Sequence, residues 1–236
     1  MWKGKKKALT FSFDDGVKQD LRLIELFNKY GLKGTFNINS DLLGKENLLW
    51  HFGMSVSHDK VTKREVRERY VGHEVAVHTL THPNLTTLEE KEIVRQVEKD
   101  RKALSKMCGY EVVGMAYPCG GVNNDDRTAK IIAEKTGVKY ARTITSTDTL
   151  DVARDNLYRF DPTCHILQDN INEIVDEFLS CDGEEERLLY IWGHSYELDG
   201  GAVNPNGMDW EKFEAICKKL SGKADIYYAT NAEILL

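Results

Sequence analysis

Two short segments carry residue types that could do chemistry together. Thr10-Phe11-Ser12-Phe13-Asp14-Asp15-Gly16 is a β-prone run that ends abruptly in two carboxylates and a glycine. His78-Thr79-Leu80-Thr81-His82-Pro83 places two imidazoles four residues apart. One Asp and two His make three ligands for a divalent metal, and the neighbouring Asp is left for proton transfer. Three protein ligands and an open position are what a catalytic zinc requires.

Each segment also has a plainer reading. Asp-Gly is a common turn, and single histidines usually serve a core or a surface. Neighbouring side chains on a strand point to opposite faces. Asp14 and Asp15 can therefore serve one pocket only where the strand breaks, and Gly16 permits that break. Pro83 and Asn84-Leu85-Thr86 argue against a helix through His82, so the pair reads as a strand end and the turn after it. Phosphoryl transfer of the Asp-x-Asp-Gly type is discounted, because Phe13 stands where the nucleophile belongs. Gly200-Gly201, after Glu197 and Asp199, lacks the Lys and Ser/Thr spacing of a phosphate loop and reads as a rim loop.

The elements that must position these residues alternate strand and helix. Strands are expected at 8–13, 33–38, 74–78, 112–117, 138–142, 158–166, 187–193 and 225–229. Helical spacing marks Leu21 to Phe27, which Gly31 can end in a left-handed cap. Capping boxes are read at Thr62-Lys63-Arg64-Glu65 and Thr87-Leu88-Glu89-Glu90. The second opens a helix carrying Val94, Val97, Leu104 and Met107 and stopping near Gly109. Further helices are expected at 125–136, 170–180 and 209–221, and 41–60 reads as a long loop or insertion. Seven or eight such units imply a parallel sheet. Asp14, His78, Pro118 and His194 all fall at strand ends, and convergence from several strand ends is the barrel arrangement.

The 236 residues, 41% hydrophobic and 30% charged, suit one domain with a sizeable core. A net charge of −6 gives no basic footprint for nucleic acid or anionic lipid. Lys3-Gly4-Lys5-Lys6-Lys7 reads as a solvated edge. No apolar run reaches the ~18 residues of a membrane span, nor is there the apolar region of a signal peptide; a cytoplasmic location is the expectation. Five cysteines, an odd number without CxxC, indicate free thiols rather than a disulfide framework or a structural zinc site.

With these motifs in place, the chain resembles the polysaccharide deacetylase family, the NodB-homology domain of carbohydrate esterase family four, over nearly its whole length. The resemblance implies a single domain, 1–236, folded as a deformed (β/α)7 barrel. It implies Asp14 as catalytic base, Asp15, His78 and His82 as metal ligands, and His194 in Ile191-Trp192-Gly193-His194-Ser195 as general acid. The implied cofactor is one divalent ion, zinc before cobalt or nickel, and the implied partner is an N-acetylated carbohydrate. The implied reaction is hydrolysis of an acetyl group. Hydrolysis of another small amide on the same metal site, or a non-catalytic carbohydrate-binding barrel, are the alternatives.

The pattern departs from the family at Met115-Ala116-Tyr117-Pro118-Cys119-Gly120. Many members carry an arginine before this proline, orienting the base, and a tyrosine after it, supplying a backbone N–H to the oxyanion. Ala116 and Cys119 stand there instead. The N–H survives at Cys119, and Arg142, at the end of a later strand, is the candidate to supply the missing charge. Tyr117, Trp192, Tyr196 and Trp210 are candidates for substrate contact, and His165 for support of the site. His51, His58 and His73 are read as ordinary surface histidines.

Overall fold

The computed structural model describes residues 2–51, 54–182, 184–200 and 207–236, with the backbone alone at 51 and 54. The parallel sheet is built from β1 (Lys7–Asp14), β2 (Gly34–Ile38), β5 (Glu74–Val77), β6 (Gly114–Ala116), β7 (Tyr140–Arg142), β8 (Cys164–His165) and β9 (Arg187–Gly193). Its order is β7-β6-β5-β2-β1-β9-β8. An eighth strand, β10 (Ile226–Tyr228), pairs with Lys7–Leu9 of β1. The sheet curls into a deformed (β/α)7 barrel, a single domain. Its closing seam is irregular: Phe160 bridges Arg142, and Thr163 N–H reaches Tyr190 O at 2.9 Å.

Every residue of β1 is buried, as expected of a parallel strand covered on both faces. The two faces differ in chemistry. Phe11 and Phe13 pack outward against Phe27 of α1 (Asp20–Tyr30) and Phe213 of α6 (Trp210–Leu220). Thr10, Ser12 and Asp14 point into the barrel. Thr10 Oγ1 donates to Asn231 at 2.8 Å, and Ser12 Oγ accepts from Asn37 at 2.9 Å and Arg142 at 3.2 Å. A polar interior of this kind is tolerable because its members bond one another.

Several local expectations hold. Gly31 and Gly109 end their helices in left-handed geometry, and Thr62 and Glu65 form a reciprocal capping box on α2 (Lys63–Arg69). Others do not. Thr87 lies in a short 3-10 turn, and α3 (Glu90–Cys108) starts after Glu89 with no side-chain cap. The segment 41–60 is not structureless: β3 (Leu48–His51) and β4 (Met54–Ser57) form an antiparallel hairpin. The strand expected at 158–166 shrinks to Cys164–His165, because Leu157–Arg159 turns as 3-10 helix. The remaining helices are α4 (Asp126–Lys135), α5 (Ile171–Ser180) and α7 (Asn231–Leu235). All five cysteines are free. Among the described residues no helix is long and apolar enough to cross a membrane.

Candidate active site

β1 breaks where the sequence places its two carboxylates. Asp15 and Gly16 have φ of 80° and 61°. The turn ends the strand alternation, and Asp14 and Asp15 both line one cleft of about 500 Å³. Gly16 is needed for more than its φ, since a Cβ there would lie 3.0 Å from the Ile38 side chain. Thr79, His82 and Cys119 also take positive φ. Such conformations cost ~1–3 kcal/mol each and cluster at functional sites.

The structure brings Asp15, His78 and His82 together. Asp15 Oδ1 lies 3.7 Å from His78 Nε2 and 3.4 Å from His82 Nε2, and the three ligand atoms fit one ion. His78 Nδ1 is 2.9 Å from Ala116 O. A carbonyl only accepts, so Nδ1 carries the proton and the Nε2 lone pair faces Asp15. Burial pushes the His78 imidazolium down to about 4 and also lowers His82. Burial would raise Asp15, but the His58 hydrogen bond and Lys60 outweigh it and hold Asp15 well below 3.8. One carboxylate and two neutral imidazoles are in the protonation state a divalent metal requires, so the donor set fits. Asp100 of α3 supports it by accepting His78 N–H at 3.2 Å and Ser40 N–H at 2.7 Å.

Asp14 faces Arg142. The fully buried guanidinium places Nη2 2.5 Å from both carboxylate oxygens. Arg142 Nη1 donates to Thr143 O at 2.8 Å, and the guanidinium lies 4.5 Å from the centre of the Trp192 ring. Asn37 Nδ2 adds a donor to Asp14 Oδ1 at 2.8 Å. Burial raises the Asp14 pKa, but Arg142, His78 and His194 overcome it, and the net value lies below 3.8. Arg142 therefore keeps Asp14 ionised and aimed while reducing its basicity.

His194, at the end of β9, enters the same cleft. Its Nε2 is 4.0 Å from Asp15 Oδ2. Its Nδ1 lies 3.2 Å from Glu197 Oε1, off the line of a good hydrogen bond. Burial depresses the imidazolium, but Glu197 outweighs that and lifts the pKa to about 9. His165 Nε2 sits 3.3 Å from Glu197 Oε2. These three side chains could also surround an ion. However, His165 Nδ1 accepts Leu167 N–H at 3.1 Å, which leaves the proton on Nε2 and makes His165 a donor to Glu197. Of these two clusters among the described residues, the Asp15 set is the one in which no imidazole nitrogen facing the site is committed to a proton by its hydrogen bonds. Glu197 was not singled out from sequence for this role, although a carboxylate three residues after a candidate His is a readable spacing.

The remaining candidates divide. Cys119 lines the cleft, its Sγ 3.5 Å from His82 O and 3.8 Å from His82 Nδ1. Tyr117 and Trp192 also line it, though the Tyr117 hydroxyl is engaged by Tyr158 O at 2.8 Å. Trp210 is not among the lining residues: it is buried on α6, donating to Asp199 at 2.9 Å beneath Arg22. Tyr196 lines the wall beside His58. His58 and His73 are not surface residues. His73 is buried against Phe27 and Phe36, and its Nδ1 accepts Gly34 N–H. His58 is 8% exposed and bonds Asp15 Oδ2 at 2.9 Å. The side chain of His51 and the residue Gly201 lie outside the described residues.

A family model described as polysaccharide deacetylase matches residues 2–141, more than half of the chain. The chain belongs to the polysaccharide deacetylase family. The match contains Asp14 and the Asp15 cluster; Arg142 and His194 lie beyond it. A peptidoglycan-N-acetylglucosamine deacetylase of Listeria monocytogenes is 29% identical over 135 residues, 56% of this chain and 24% of that protein. The aligned part is thus about a quarter of the relative's length. The polysaccharide deacetylase fold itself extends over nearly all of the chain. A family 4 carbohydrate esterase from Streptomyces lividans, solved with acetate, aligns with TM-score 0.56 at 16% identity, covering 96% of this chain and 92% of that one. A T48 deacetylase solved with substrate aligns with TM-score 0.60 at 16% identity, covering 99% and 92%.

Proposed function

We propose that this protein is a metal-dependent hydrolase that removes acetyl groups from N-acetylated sugars. The observation that carries this reading is the arrangement around Asp15: a metal-competent cluster flanked in one cleft by an ionised Asp14 and a proton-bearing His194. Family membership supports the reaction class, and the Listeria relative supports an amino-sugar substrate.

Asp15 Oδ1, His78 Nε2 and His82 Nε2 would hold the ion. A divalent cation there would supply Lewis acidity, polarising an acyl oxygen and lowering the pKa of water towards neutrality. Asp14, held by Arg142 and Asn37, accepts the proton of the attacking water. The water oxygen bonds to the acyl carbon, and the C–N bond breaks as His194 delivers its proton to the nitrogen. Acetate and a free amine result. Glu197 keeps His194 protonated near neutral pH, so base and acid are separated by their surroundings rather than by residue type. The backbone N–H of Cys119 is the donor for the developing oxyanion.

The test is mass spectrometry of chito-oligosaccharides, peptidoglycan fragments and N-acetylated monosaccharides incubated with the protein, alongside metal analysis. Acetyl loss that stops on chelation is expected, with about one ion per chain that His78→Ala loses. Full metal occupancy in His78→Ala would overturn the ligand assignment.

A further inference from the structure

Among the described residues, the side chain that hydrogen-bonds the Asp15 carboxylate comes from none of the barrel strands. His58 follows β4, on the arm that leaves the hairpin. Its Nε2 is 2.9 Å from Asp15 Oδ2. A carboxylate only accepts, so Nε2 carries a proton. Its Nδ1 lies 3.4 Å from Asn47 Nδ2 on the entering arm, a donor against the remaining lone pair. Lys60 Nζ lies 3.4 Å from the same Nε2, so the imidazole is held among Asn47, Lys60 and Asp15.

The two oxygens of Asp15 are divided by this contact. Oδ2 is taken by His58, while Oδ1 faces His78, His82 and, at 3.7 Å, Lys60 Nζ. The hairpin also grips the backbone of the turn. Lys60 Nζ donates to Asp15 O at 2.9 Å, Val61 N–H to Gly16 O at 2.9 Å, and Lys18 N–H to Asp59 O at 2.8 Å. The arms are joined to each other by His58 N–H to Asn47 O and Lys60 N–H to Lys45 O. Asp15 has a φ of 80°, a conformation that lasts only where the surroundings enforce it.

We infer that His58 is a positioning residue for Asp15, and that the β3–β4 hairpin thereby sets how tightly this chain holds a divalent cation. His58 does not join the ligand set; it fixes which Asp15 oxygen is presented and at what angle. The inference rests on the metal reading above. Partners of this kind, bonded to a ligand rather than to the ion, are worth about 10–100-fold in metal affinity.

The experiment is competition for Zn²⁺ between the apo-protein and a chromogenic chelator, with the thermal midpoint recorded for each variant. His58→Ala is expected to bind Zn²⁺ about 10–100-fold more weakly while staying folded. His58→Gln keeps an N–H donor of similar reach and is expected to recover most of the loss. That rescue separates positioning from mere filling of space. If His58→Ala does not fold, His58→Leu, which fills the site without a donor, takes its place with the same expected loss. A folded donor-free variant with the parent's Zn²⁺ affinity, or a His58→Gln as weak as that variant, overturns the inference alone. A parent that binds no Zn²⁺ overturns the metal reading and this inference with it.

Discussion

Arg142 Nη2 sits 2.5 Å from both carboxylate oxygens of Asp14, across 128 positions of chain. The arginine comes from the end of β7 and the aspartate from the end of β1, so barrel curvature alone makes the contact. Removing one partner of a buried ion pair leaves the other charge uncompensated, at ~3–5 kcal/mol. Arg142→Ala is expected to lower stability by that order. It is also expected to lower kcat/KM by ~10²-fold through a misplaced base. Arg142→Lys should not restore it, since an ammonium cannot keep the Thr143, Ser12 and Asp14 contacts at once. The sign of the pH effect follows from the folded Asp14 value lying below 3.8. The pair stabilises fully above that pH and loses its contribution as pH falls through the folded value. Without Arg142, the acid limb of the rate profile should move to higher pH. Parent-like activity in Arg142→Ala would remove Arg142 from the mechanism.

Glu197 makes an opposite prediction on the alkaline side. His194 is lifted from 6.5 to about 9, against burial, chiefly by Glu197. A raised folded pKa means that the charged pair stabilises the fold fully below 6.5. That contribution is lost as pH rises through about 9. Glu197→Gln should move the alkaline limb of kcat downward, with little change on the acid side. An alkaline limb that stays in place would show that His194 does not depend on Glu197.

Phe213 tests the scaffold apart from the chemistry. It is fully buried on α6 against Phe11, Phe13 and Phe27. Phe213→Ala should cost ~3–5 kcal/mol, read as a lower denaturation midpoint at unchanged m-value. Zn²⁺ affinity of the folded variant should stay near that of the parent. A stability loss under 1 kcal/mol would mean that the aromatic cluster is less tightly packed than it looks.

The strand–helix alternation was legible because period-2 and period-3.6 patterns are local. So were the Gly31 cap, the Thr62 capping box and the break after Phe13. Where the sequence reading failed, non-local contacts decided. Thr87 has the letters of a capping box, yet α3 starts three residues later. His58 and His73 carry no sequence mark of burial; the hairpin encloses one and the Phe27–Phe36 layer the other. Trp210 is near His194 in sequence, but its helix turns the indole onto Arg22 and Asp199.

By itself the sequence determined the class of chemistry and the strands that carry it. A β-strand ending in Asp14-Asp15-Gly16, and another ending at His78, restrict where their side chains can go through backbone geometry alone. Only the tertiary structure decided what each of those groups leans on. Arg142 reaches Asp14, Glu197 reaches His194 and His58 reaches Asp15, and each contact sets the charge or direction of its partner. Each contact needs its partner within hydrogen-bonding reach, and a low-dielectric interior makes it far stronger than it would be in water. Their identity therefore depends on how the barrel closes and where the hairpin folds back, which no local pattern of residues encodes.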